Sequence, residues 1–437
     1  MNWFSLFGMA TLFPALLHAQ LSIERCQELA RANYPIIQRY ALIEQTAAYN
    51  VSNAGKGYLP QILLYAKASY QSDVTSLPFQ IPGIEISGLP KDQYAATFDI
   101  SQALWDGGFA RAQKGSALAT KTLEQEQLNV ELYALEKRVN QLFFGTLLIE
   151  SQLELNRLLQ EDLQRHYRMI EAFVINGIAN PTDLDAVSVE QLRAQQFFQQ
   201  LLSSKNAYIQ MLSFMIGQRI EETTSFVKPN HSHLPPSKTL IHSSLPLSPL
   251  NTIVSQNIVN RPELSMFEAQ KQLFSSQKQT ISSTLMPRFH LFVQGGYGKP
   301  GLNMLNGNFS PFYIGGIRLT WNFGALYTRK NDLQKLNLAQ LTTQTLLETF
   351  LYHTQIEITQ QSALIQQLQK TMEYDTAIIS LRENIRLSAE AKVANGTLSF
   401  TELMRELNAE TIAKQERITH EIELLTAIYD LKFTTGQ

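Results

Sequence analysis

Cysteine is nearly missing: Cys26 is the one thiol in 437 residues, so no internal disulfide can form. Its neighbours Glu24 and Arg25 are not those of a lipidation site, and a buried, inert thiol on a helix is expected. Long apolar runs are scarce as well. After Gln20 no segment approaches about 18 consecutive apolar residues, so any membrane contact beyond that point has to be β-structured. A charge excess is also lacking: 36 Lys and Arg against 38 Asp and Glu, with no basic run, give no footprint for nucleic acid, which is not expected as a partner. No Gly-x4-Gly-Lys-Ser/Thr phosphate loop occurs, and Gly295-Gly296-Tyr297-Gly298 is a strand-end glycine cluster rather than a dinucleotide fingerprint. No Ser/His/Asp or paired-carboxylate constellation stands out. Neither catalysis nor a cofactor is therefore expected.

What is present is a composition rich in Gln, Leu and Ala, with few Gly and Pro between long stretches, which suits extended helices. The N-terminus reads Met1-Asn2-Trp3-Phe4, then an apolar run through Leu17, then His18-Ala19-Gln20. That layout predicts a secretory signal over 1–19, although no Lys or Arg precedes the apolar run.

The chain repeats itself. Pro35 and Pro60 recur as Pro262 and Pro287 at an offset of 227, while Asn176-Gly177 recurs as Asn395-Gly396, and Gly217-Gln218 as Gly436-Gln437, at an offset of 219. The expected organisation is a first repeat over 20–218, an irregular linker over 219–248 and a second repeat over 249–437. The linker holds Pro229, Pro235, Pro236 and Pro246 among Ser and His residues. His231 and His233 lie there without a third ligand nearby and read as a solvated pair, so no metal is expected.

Each half has two segments alternating with a period of two. Ile62, Leu64, Ala66, Ala68 and Tyr70 oppose Gln61, Tyr65, Lys67 and Ser69; Tyr94, Ala96, Phe98 and Ile100 oppose Thr97, Asp99 and Ser101. In the second half Phe289, Leu291, Val293 and Tyr297 oppose Arg288, His290 and Gln294, and Tyr313, Ile317 and Leu319 oppose Arg318 and Thr320. A soluble sandwich alternates in the same way. In a membrane, Leu64, Phe98, Leu291 and Leu319 should meet lipid while Lys67, Asp99, Arg288 and Arg318 line a lumen. Four strands cannot close a channel-sized barrel, so that reading requires several chains to share one.

Two helices are too long for a compact domain. After Asp106, placed as an N-cap, Leu128, Leu132, Leu135, Val139 and Leu142 step at heptad spacing, and a helix from Gly107 to Asn176 would run roughly 105 Å. A second is expected from Gly324 to Asn395, with shorter helices over 22–58, 181–217, 249–285 and 400–433.

These features resemble the TolC family of outer-membrane efflux proteins across essentially the whole chain after the signal. The resemblance is carried by Leu21-Ser22-Ile23-Glu24-Arg25-Cys26 with Asn33-Tyr34-Pro35, and by the turns Leu104-Trp105-Asp106-Gly107-Gly108 and Leu319-Thr320-Trp321-Asn322-Phe323-Gly324. It implies a mixed α and β membrane protein, a homotrimer with a 12-stranded barrel in outer-membrane lipid and a long helical barrel across the periplasm. The implied function is the outer-membrane duct of a tripartite efflux or export system. A periplasmic membrane-fusion adaptor and an inner-membrane pump would be its partners.

The resemblance also places the adaptor-docking hairpin tips at Gly177, Asp183, Gly396 and Glu402. Some family members carry acids six and nine residues after the second tip glycine as pore constrictions. Here those positions are Glu402 and Arg405, a departure that puts a double acidic ring in doubt. A plain helix-capping glycine is the competing reading of each turn. The rival functions are an outer-membrane exit duct for type I protein secretion and a secreted coiled-coil scaffold, with an enzyme a distant third.

Overall fold

A computed structural model describes residues 21–74, 89–221, 224–229, 259–304 and 306–436. The expected signal, His231 and His233, most of the linker and the beginning of the helix expected from residue 249 lie outside the described residues.

The element order is α1 (Ile23–Asn33), a 3₁₀ turn (Pro35–Gln38), α2 (Arg39–Lys56), β1 (Gln61–Tyr70), β2 (Asp92–Trp105), α3 (Phe109–Ile175) and α4 (Pro181–Ile216). It continues with α5 (Pro262–Thr284), β3 (Arg288–Lys299), β4 (Ser310–Thr320), α6 (Ala325–Ala394) and α7 (Phe400–Thr435). The long helices hold 67 and 70 residues, each close to 100 Å of rise, roughly, along its own course.

Two expectations need correcting. The helix expected over 22–58 is broken after Asn33: Tyr34 sits in an extended conformation (φ −64°, ψ 124°), because the ring of Pro35 disfavours a helical residue before it. Likewise the helix expected over 249–285 does not run through residues 259–261. It begins at Pro262, where a fixed φ suits a first turn and the missing N–H costs nothing.

Contacts divide the chain into two compact units. One gathers Met1–Ile37, Asn129–Pro262 and Thr349–Gln437; the other gathers Gln38–Leu128 and Glu263–Glu348. The first is helical. Ile23, Cys26 and Ala30 of α1 pack with Val139, Phe143 and Phe144 of α3, Leu212 of α4, and Leu425 and Ile428 of α7. Phe143 lies edge-on to both Phe144 and Phe226. A second core joins Leu163 and Ile170 of α3, Val187 of α4, Val393 of α6 and Leu403 and Leu407 of α7. Gly217 and Gly436, both at positive φ, end α4 and α7 in the same way: a Cβ on Gly217 would lie 2.2 Å from the Asn33 side chain, and one on Gly436 2.3 Å from the carbonyl oxygen of Asn260.

The second unit carries the sheet. Its four strands pair antiparallel in the order β1-β2-β3-β4, leaving β1 and β4 as edges. Asp106 joins strand to helix: its carboxylate accepts from the amides of Gly108 (2.8 Å) and Ala110 (2.7 Å) and from Tyr58 Oη (2.7 Å). It thus caps α3 from upstream of the N-cap position itself. Burial opposes its charge, yet the bonds from Tyr58, Ala110 and Gly108 outweigh burial and hold the carboxyl below its usual range. Lys121 pairs with Glu44 at 2.6 Å to tie α3 to α2, and Lys271 Nζ donates to Gln344 Oε1 at 2.6 Å between α5 and α6.

Candidate functional site: a two-faced sheet and two hairpin turns

Directly paired residues of an antiparallel ladder share a face, so the register decides where each side chain stands. Leu64 pairs with Phe98, Ile100 with Val293, Gln102 with Leu291 and Phe289 with Leu319. Leu64, Phe98, Leu291 and Leu319 therefore occupy one face. Asp99 pairs with Gln294, His290 with Arg318 and Arg288 with Thr320, while Lys67 lies four residues from Leu63, the partner of Asp99. Lys67, Asp99, Arg288 and Arg318 thus stand together on the opposite face.

The apolar face is bare in the single chain, with Leu64 75% and Ile317 67% exposed, and all strands among the described residues belong to this one sheet. The four strands hold 10, 14, 12 and 11 residues, enough for tilted spans that need about 9–11. Sequence alternation did not bring out the aromatic bands. At the loop end the apolar face carries Tyr70, Tyr94, Tyr297 and Tyr313, with Phe309 stacked on Tyr94 and Tyr297 (centroids 6.1 and 5.5 Å). Toward the helices stand Phe289 and the Trp321–Phe323 pair (4.7 Å), with Trp321 Nε1 donating to the Leu285 carbonyl at 3.0 Å. Aromatic girdles flanking an apolar band are the outer surface of a membrane barrel.

The two hairpin turns lie in the helical unit. Gly177 and Gly396 both adopt φ 71°, the left-handed region that glycine enters without penalty. The amide of Ile178 donates to Phe173 O (2.8 Å) and that of Thr397 to Lys392 O (2.9 Å), closing each long helix with a six-residue capping loop. The two acids brace the N-caps, Asn180 and Ser399, of the helices that follow. Asp183 accepts from the amide of Asn180 at 3.1 Å in a reciprocal capping box, and Glu402 accepts from Ser399 Oγ at 3.2 Å. The helix-capping reading of Gly177 and Gly396 is thereby realised in the geometry. Arg405 pairs with Glu406 (3.5 Å) rather than with Glu402.

A charged network beside the turns escaped the sequence. Arg386 on α6 bonds Glu390 (2.6 Å) and the buried Glu410 of α7 (2.5 Å), which also pairs with Lys414 (2.6 Å). From α3, His166 approaches Glu390 at 3.6 Å. The spacings Arg382, Arg386, Glu390 and Glu406, Glu410, Lys414 along two helices were its sequence signal.

Residues 27–218 match the family model described as outer membrane efflux protein. No curated protein matches. Solved structures match over nearly the whole chain at low identity. The channel-forming protein CusC gives 14% identity and a TM-score of 0.68, over 95% of this chain and 92% of its own. VceC of Vibrio cholerae, an outer membrane protein, gives 13% and 0.64 over 95% and 96%. The CmeC outer membrane channel of Campylobacter jejuni gives 14% and 0.64 over 95% and 85%. Residues 27–218 thus carry the sequence pattern of the outer membrane efflux protein family, and the chain through both repeats carries the fold of the solved outer-membrane channels, with a sheet whose faces suit lipid and water.

Proposed function

We propose that three copies of this chain assemble into one outer-membrane channel that passes solutes from a periplasmic adaptor and an inner-membrane pump to the outside. The observation that carries this reading is the sheet: four strands with free edges at β1 and β4, an apolar face banded by aromatics and a charged face opposite. Three such sheets joined edge to edge make a closed twelve-stranded barrel, which removes the exposed edges and gives the apolar face lipid to cover it. The long helices supply the tunnel through the periplasm. In this reading Lys67, Asp99, Arg288 and Arg318 line the barrel, the turns at Gly177 and Gly396 with Asp183 and Glu402 meet the adaptor, and Glu402 and Arg405 stand at the entrance. Transport is driven by the pump, and the chain itself performs no chemistry.

The test is purification from outer-membrane fractions followed by planar-bilayer recording. Heat-modifiable trimers with discrete conductance steps are expected. A soluble, non-conducting monomer would instead support the coiled-coil scaffold.

A further inference from the structure

The charged face of the sheet is not evenly charged. At the end that joins the helices, Arg288 pairs across the ladder with Thr320, and two residues along, His290 pairs with Arg318. Two guanidinium groups and an imidazole thus occupy two neighbouring rungs of one face. Among the described residues neither arginine has a carboxylate within 4.0 Å. Each lies instead over an aromatic ring, Arg288 at 4.9 Å from the centroid of Phe109 and Arg318 at 4.5 Å from that of Phe292. A ring face holds a cation in place without cancelling its charge. The acid on the same face, Asp99, sits further along, where Gln294 Nε2 donates to it at 3.0 Å. Asp99 pairs with Gln294, six residues beyond Arg288 and four beyond His290 on β3, or roughly 13–20 Å of strand, which exceeds the screening length of about 8 Å in physiological salt.

We propose that Arg288, Arg318 and His290 form a basic filter at the helix-joined end of the barrel lumen, which admits small anionic solutes such as carboxylates and phosphates in preference to cations. The proposal rests on the reading that the charged face lines the lumen of a trimer. Three copies bring six arginines to one level of that lumen. A ring of fixed charge inside a low-dielectric wall focuses its potential on the water within, raising the local concentration of the opposite sign. The two rings hold the guanidinium groups without neutralising them, so a passing anion meets them with no ion pair within 4.0 Å to displace.

The filter is read with a reporter thiol. Thr320→Cys places a thiol beside Arg288, and the chain's own thiol, Cys26, is 0% exposed and silent. In trimers shown to conduct, the rates of modification by an anionic sulfonatoethyl and a cationic trimethylammonioethyl methanethiosulfonate are compared, each normalised to a free thiol. The anionic reagent should be favoured about tenfold at low salt, the preference shrinking in high salt and falling to within about twofold in Arg288→Gln/Arg318→Gln. Arg288→Lys/Arg318→Lys, which keeps the charge, should retain it. Equal rates in the parent, or a preference untouched by the glutamine pair, would overturn the filter. Leu319→Cys separates the two readings: if it is modified while Thr320→Cys is not, the face assignment fails rather than the filter.

Discussion

Gly177 and Gly436 share nearly the same backbone, φ 71° and 78°, but not the same surroundings. An added Cβ on Gly177 meets nothing within 4 Å, whereas one on Gly436 meets the Asn260 carbonyl oxygen at 2.3 Å and the Arg261 nitrogen at 2.9 Å. Alanine at 177 should therefore cost only the left-handed penalty of about 1–2 kcal/mol. At 436 the same penalty is joined by a backbone collision that no side-chain rotation can relieve. Asn260, whose amide donates to Thr435 O at 2.7 Å, would have to move. Gly436→Ala is expected to lower trimer yield and thermal stability well beyond Gly177→Ala. Comparable melting temperatures for the two would contradict the packing described. The same comparison bears on the docking turns, because substitutions at Gly177 test strain and surface there with no steric neighbour to confuse them.

Between elements, the contact among α3, α6 and α7 is set by charge as well as by apolar packing. His166 is mostly buried, and this burial lowers its proton affinity; Glu390 pulls it back up, while Arg165 and Arg386 push it further down, leaving it below the ordinary histidine value. Of the groups facing it from the neighbouring helices, Glu390 is already engaged by Arg386, which also holds Glu410. Above the ordinary histidine range both packed and detached helices carry a neutral ring and pH has no effect; as pH falls through that range, the detached helices bind the proton first and the packing loses stability. Amide-exchange protection over residues 160–175 and 386–394, taken relative to the intrinsic rate at each pH, should drop between about pH 7.5 and about pH 5, and His166→Phe should flatten the change. An unchanged pH profile in that variant would remove His166 from the account.

Lipid tests the sheet in a parallel way. Arginine at Leu64, Phe98, Leu291 or Leu319 should impair insertion by roughly 2–4 kcal/mol per midplane site, with swaps at Lys67 or Asp99 far milder, as measured by folded trimer in the outer membrane. Equal effects on both faces would defeat the assignment.

Elements differ in how much of their form their own residues disclose. Faces of strands were legible in the sequence because a period of two is local, and helix ends were legible where Gly177, Pro181 and Gly396 mark them. The break at Tyr34–Pro35 was not placed, since helix-forming residues continue on both sides and only the steric demand of the proline ring interrupts them. The spacing of Arg386 and Glu410 on their own helices was legible, but their pairing was not. It depends on the register in which α6 and α7 fold back on each other, and one residue of slip would assign different partners. The aromatic girdles needed the strand register for the same reason: Tyr70 and Tyr94 lie near each other only once Ala68 is known to face Tyr94.

For the molecule as a whole, assembly and export are separable demands, and the hairpin turns are where they separate. Asp183 and Glu402, each in the first turn of its helix, accept from the N-cap residues Asn180 and Ser399, so reversing them to Lys weakens a cap, at about 1 kcal/mol apiece, besides reversing a charge. Loss of export in Asp183→Lys/Glu402→Lys would be ambiguous on that account. Asp183→Asn/Glu402→Gln is the cleaner change, because an amide oxygen can still accept the capping bonds while the charge is gone. If the turns meet the adaptor through these carboxylates, the amide pair should assemble into heat-modifiable trimers at parental yield and still lose most efflux of a fluorescent substrate. Cysteines placed over residues 178–182 and 397–401 should then crosslink to the adaptor in intact cells for the parent and weakly for the amide pair. Should export and crosslinking both persist, the acids act as helix caps and nothing more, and docking has to be sought elsewhere on the helical surface. Should the parent itself never crosslink from either turn, the turns do not meet the adaptor, even if the trimer forms and conducts.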